Sequence, residues 1–128
     1  TIPMAQTAIE TCKANGFIVS VTIVGRAGEV LAQARGDGAP PHTMENSQRK
    51  AYTARTFRTT SGEFAKRVAN DPLRAAQHLS GIILLAGALP IKAGEEVIGA
   101  IGVSGAPGGD KDEVCAQAAI DKVSAQLK

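Results

Sequence analysis

Apolar residues recur along this chain with two periods, and the changes of period mark its elements. Across 2–15, Ile2, Ala5, Ile9 and Cys12 fall at helical spacing, and Asn15-Gly16 supplies a stop. The stretch FIVSVTIV over 17–24 alternates instead, placing Phe17, Val19, Val21 and Ile23 on one face of a β-strand. Gly25-Arg26-Ala27-Gly28 reads as a turn, and 29–35 as the returning strand of an antiparallel hairpin. A glycine- and proline-rich loop follows over 36–41. Thr43 then reads as the N-cap of a helix from about Met44 to Phe57, its hydroxyl accepting from an otherwise orphaned N–H. Thr60 with Glu63 matches a capping box and opens a short helix carrying Phe64 and Val68. Asp71-Pro72 starts another, running to about Leu79, with His78 near its end in a structural role.

The second half repeats the hairpin signal. The apolar run over 81–86 predicts a buried strand or a fragment of one. Leu89-Pro90-Ile91 and 96–103 flank the turn Ala93-Gly94-Glu95 as a second hairpin. A glycine-rich loop over 104–109 leads to a final helix, capped by Asp110 with Glu113 and striped by Ala116, Ile120, Val123 and Leu127. Hairpins with helices segregated between them predict a single α+β domain over 1–128. Its antiparallel sheet of about five strands packs with N-terminal, central and C-terminal helices.

Composition narrows the partners. The chain has 128 residues, 44% of them hydrophobic, enough to bury one core. A net charge of +2 argues against a nucleic-acid or membrane-surface binder, and four aromatic rings without Trp argue against base stacking. The longest apolar run, 81–90, falls short of the ~20 residues that span a bilayer. The chain opens on Thr1 rather than Met, so the expectation is that an upstream segment was removed.

Three places carry candidate chemistry. His42, behind a stiff diproline, could ligate a metal or a haem iron, and Met44 could add a softer ligand; the alternative is a loop histidine with no ligand. Arg49 and Thr53 share a helical face with Lys50 beside them, and such a face could hold a carboxylate or propionate, or simply be solvated. The loop over 103–110 could offer backbone N–H groups to an anion, although it carries no nucleotide fingerprint and Asp110 competes for those groups. Cys12 and Cys115 are expected as two buried, unpaired thiols, with a disulfide as the alternative where the terminal helices are neighbours. No nucleophile–base pair is evident.

The segments DGAPPHTMENSQRKAYTARTF and GALPIKAGEEVIGAIGVSGAPGGDKDEVCAQAAIDKV resemble the GlcG/HbpS family of haem-binding and haem-degrading domains. The signatures are the Lys-Ala-x-Thr-Ala helix over 50–54 and the hairpin over 90–105, and the likeness runs through nearly the whole chain. The resemblance implies a profilin-like α+β sandwich that forms homo-oligomers, up to octamers. It further implies a cleft lined by Lys50, Thr53, Ser104 and Gly105, and haem as the cofactor. On this reading Arg49, Lys50 or Arg55 answers the propionates, and His42 or Met44 the iron. The expected role is to sequester or transfer haem, with assistance in its degradation the weakest part. A small-molecule enzyme or accessory factor of organic-acid catabolism, with Lys50 as acid/base group, is the alternative. A periplasmic or secreted location is expected, a cytoplasmic one being the alternative.

Overall fold

The structure, a computed structural model, describes residues 1–71 and 78–127. Helix α1 (Ile2–Ala14) precedes the hairpin of β1 (Ser20–Val24) and β2 (Val30–Arg35). Helices α2 (His42–Phe57) and α3 (Ser61–Ala69) follow, then the hairpin of β3 (Ala88–Ala93) and β4 (Glu96–Ser104), and α4 (Gly109–Val123) with a 3₁₀ turn over Ser124–Leu127. All strand pairs are antiparallel, in the order β2-β1-β4-β3. The two hairpins therefore join through their inner strands, with Val21 opposite Val103 and Leu89 opposite Ile101.

Strand alternation sends two different sets of side chains to the two faces. Val19, Val21, Ile23, Leu89, Ile91, Ile101 and Val103 meet Met4, Ala5, Ala8 and Cys12 of α1 and Cys115, Ala116 and Ala119 of α4 in the main core. The opposite set packs beneath α2: Val24, Ala88 and Ala100 meet Ala51 and Ala54. Two buried hydroxyl pairs bind the same helix to β1, Ser20 with Thr43 at 2.8 Å and Thr22 with Ser47 at 2.7 Å. The helix lies so close to the sheet that a Cβ on Gly102 would collide with the Ser47 carbonyl. Helix α3 adds a satellite of Phe64, Val68 and Ile82, with Phe57 stacked on Phe64.

The α+β reading and both hairpins hold, and among the described residues the sheet has four strands rather than about five. The expected strand over 81–86 is irregular chain, because its backbone bonds to side chains of α2 instead of to a neighbouring strand. Arg49 Nη2 donates to Ile82 O at 2.7 Å, and Ile83 N–H donates to Thr53 Oγ1 at 3.0 Å. The expected helix between Asp71 and Leu79 lies largely outside the described residues.

Two caps differ from expectation. Helix α2 begins at His42 with Pro41 as N-cap, and Thr43 turns inward, donating to Pro40 O at 2.6 Å. Helix α4 begins at Gly109 with Gly108 as N-cap, so Asp110 sits within its first turn. At α3 the predicted cap is present: Glu63 N–H donates to Thr60 Oγ1 at 3.0 Å. In α1 the buried stripe is Met4, Ala5, Ala8 and Cys12, while Ile2 faces outward.

Cys12 and Cys115 form a disulfide between α1 and α4, with Cα atoms 5.6 Å apart, rather than two unpaired thiols. The reason is geometric. Both terminal helices bury their apolar stripes against the same sheet face, and the two fully buried cysteines lie where those stripes meet.

Candidate functional site

At the end of the α2 layer, a cavity of about 290 Å³ opens between the first turn of α2, the end of β4 and the start of α4. His42, Lys50, Ser104, Gly105 and Asp112 contribute to its wall, and Leu85 and Ala86 close one side. Four of the sequence-predicted site residues, His42, Lys50, Ser104 and Gly105, are thereby brought together. The diproline turn delivers His42 to the rim, where it is exposed and makes no hydrogen bond to a described residue.

Lys50 lies on the inward face of α2 among Ser47, Ala51, Thr53 and Ala54, all small and buried. The residue is only 3% exposed, and its amine donates to Val103 O and Asp112 Oδ2, each at 3.1 Å. A side chain at Gly87 would occupy this space, since a Cβ there would stand 2.8 Å from Lys50 Nζ. The left-handed φ of +136° at Gly87 also favours glycine. Asp112, 2% exposed, completes the arrangement by accepting the Ala106 N–H at Oδ1, 2.9 Å away. Burial pushes its carboxyl above the usual carboxylate range, opposed by the Lys50 charge and the Ala106 amide. The pair ties the α2 layer to the start of α4 and holds the cavity floor.

The remaining predicted residues serve elsewhere. Met44 lies about 200° around the helix from His42, and its carbonyl accepts from Gln33 and Ser47. It does not line the cavity. Arg49 and Thr53 brace the 82–83 backbone, and Arg55 Nε donates to Arg26 O at 2.7 Å. These three side chains hold backbone in place, and none of them lines the cavity. The anion reading of the 103–110 loop loses one donor as well, because Asp112 takes the Ala106 amide.

Sequence reasoning misses Asp112, because Asp110 and Glu113 fit the helix cap. A signal is nevertheless present. A lysine whose helical neighbours are Ser, Ala and Thr sits on a buried stripe, and a buried ammonium requires a carboxylate partner. Nothing in the spacing alone says which of the four acids between 110 and 121 provides it.

Among the described residues no group of three His, Cys, Asp or Glu side chains could hold a bare metal ion. Haem places a smaller demand on the protein, because its porphyrin supplies four ligands and the chain need supply one. The free imidazole of His42 fits that requirement, and Pro40, Leu85 and Ala86 offer apolar surface beside it. The cavity stands at the small end of ligand pockets.

Comparison with known proteins places the chain among relatives of one kind. Residues 3–121 match the family described as haem degrading protein HbpS-like. The fold matches a double mutant of HbpS from Streptomyces reticuli with a TM-score of 0.90 and 38% identity, over 95% of this chain and 82% of that one. The Klebsiella pneumoniae protein ORFY matches with a TM-score of 0.89 and 31% identity, over 97% and 87%. A haem complex of PduOC shares the fold with a TM-score of 0.83 at 23% identity, over 94% and 88%. No functionally curated protein matches the chain significantly.

Proposed function

The chain belongs to the HbpS-like family of haem degrading proteins, and from that premise we propose that it binds haem at the mouth of the His42 cavity and sequesters it or hands it on. The observation that carries this reading is the position of His42. Its imidazole stands exposed and without a hydrogen bond to any described residue at the rim of a cavity with a partly apolar wall. A rigid floor lies below it, because Lys50 and Asp112 are locked to each other. Haem, when bound, supplies a redox-active iron whose behaviour its axial ligand tunes. The chain's own part would be to present the His42 imidazole, with Pro40 and Leu85 as apolar surface beside it. Such an open seat suits exchange with a donor or acceptor better than permanent retention.

The reading extends to location and assembly. A buried disulfide supports work in an oxidising compartment, the periplasm or the cell exterior. The same reading takes the chain to assemble as a homo-oligomer.

The test is a titration of hemin into the purified protein, followed at the Soret band. The expected result is a saturable shift, with His42→Ala changing the spectrum and weakening binding at least about tenfold. Identical spectra for parent and variant would remove His42 as ligand. A parent protein that gives no specific shift would remove the haem reading.

A further inference from the structure

We propose that the inner part of the cavity below His42 is a carboxylate-binding site, built from the Ser104 hydroxyl and the remaining donor of Lys50. Ser104 is only 5% exposed and lines the cavity, yet its hydroxyl makes no hydrogen bond to any described residue. Every side-chain polar atom shut off from solvent has a hydrogen-bond partner among the described residues, so the unpartnered Ser104 hydroxyl is one that opens onto the cavity, where a guest can reach it.

The chemistry of that partner follows from what the wall has left to offer. Lys50 has three N–H donors and spends two of them, on Val103 O and Asp112 Oδ2. Both Asp112 oxygens are engaged, by Lys50 and by the Ala106 amide. Thr43, which also lines the cavity, is committed to Pro40 O and Ser20. Gly109 adds a wall whose amide, at the first position of α4, has no intrahelical acceptor, while Asp110 and Asp112 of the same turn already supply negative charge to that helix end. The remaining Lys50 N–H and the Gly109 amide can only donate, and the Ser104 hydroxyl can turn to donate beside them, so the wall suits an acceptor. Asp112 already balances one positive charge, which favours a singly charged, planar guest over a phosphate.

Two sources present this chemistry, a free short-chain carboxylic acid and a propionate arm of haem. The propionate source rests on the haem reading; the free acid does not.

The experiment follows backbone amide resonances of the intact protein during titration with sodium propionate, with propionamide and inorganic phosphate as controls. The expected result is saturable shifts over 104–110 with propionate, little response to propionamide, and weaker binding of phosphate. Ser104→Ala should bind propionate about tenfold more weakly at an unchanged melting temperature. Adding hemin or hemin dimethyl ester to the propionate-bound protein then separates the sources. Displacement by hemin but not by its ester supports the haem arm; retained propionate supports the free acid. A protein that gives no Soret shift but still binds propionate keeps this proposal and loses the haem reading. Absence of saturable propionate shifts, equal response to propionamide, tighter phosphate binding, or full affinity in a folded Ser104→Ala protein would overturn it.

Discussion

The two faces of one four-stranded sheet are built on different principles. The face under α1 and α4 is closed by branched aliphatic side chains and stapled by Cys12–Cys115. The face under α2 has few large side chains: alanines and a glycine let the helix come close, and hydroxyl pairs with one buried ion pair fix where it lies. Burying aliphatic surface stabilises without direction, whereas hydrogen bonds specify position. The division sets the His42 cavity on the polar face. A helix located by directional contacts can present His42, Lys50 and the neighbouring Ser104 at one cavity, while the aliphatic face carries the stability that this arrangement needs.

The largest effect should come from cutting the staple. The disulfide closes a loop with a sequence separation of 103, and its reduction should cost about 4–5 kcal/mol. Denaturant unfolding with and without reductant measures this. Hydrogen exchange should show α1 opening first while α2 stays protected; equal loss of protection in both helices would contradict the division into two separately held layers.

Asp112→Asn comes next, attacking the polar face. It leaves the Lys50 ammonium buried without its counter-charge, at an expected cost of about 3–5 kcal/mol. Lys50→Met with Asp112→Leu should be less damaging than Asp112→Asn, because no unpaired charge remains. A double variant less stable than the single one would show that the pair contributes more than mutual neutralisation.

How much of this was legible depends on the face. The aliphatic face could be read in part from alternation in 17–24 and from the terminal helical stripes, which name Ala5, Cys12, Val19, Val21, Ile23 and Ala116 among the residues that meet there. Its disulfide could not, because whether two cysteines on different helices touch depends on how those helices pack. On the polar face, small residues and hydroxyls carry little periodic signal, so Thr43 passed for a cap and 81–86 for a strand. The Lys50–Asp112 contact joins residues 62 positions apart and has no local signature. Of the residues that the family resemblance assigns to a cleft, Lys50, Ser104 and Gly105 line the cavity and Thr53 braces the backbone at Ile83.

The smallest effect lies outside both faces. Burial and the nearby Glu63 push the Glu113 carboxyl above its ordinary value. The folded chain then binds more protons than the unfolded one just above pH 4.5, so stability falls as pH rises through that window and the loss persists at neutrality. Glu113→Gln should raise Tm by about 1–2 °C at pH 7 and leave it unchanged below pH 4. A gain of the same size at both pH values would show that the charge is not its cause.

A haem seat on the polar face is open to a test by paramagnetic broadening. Amide spectra are recorded with hemin and, as diamagnetic control, with zinc protoporphyrin. The account predicts that iron-dependent broadening centres on His42 and on 104–109, leaving α1 and the 115–123 segment of α4 sharp. Broadening centred on α1 and that segment, or spread evenly over the surface, would contradict it.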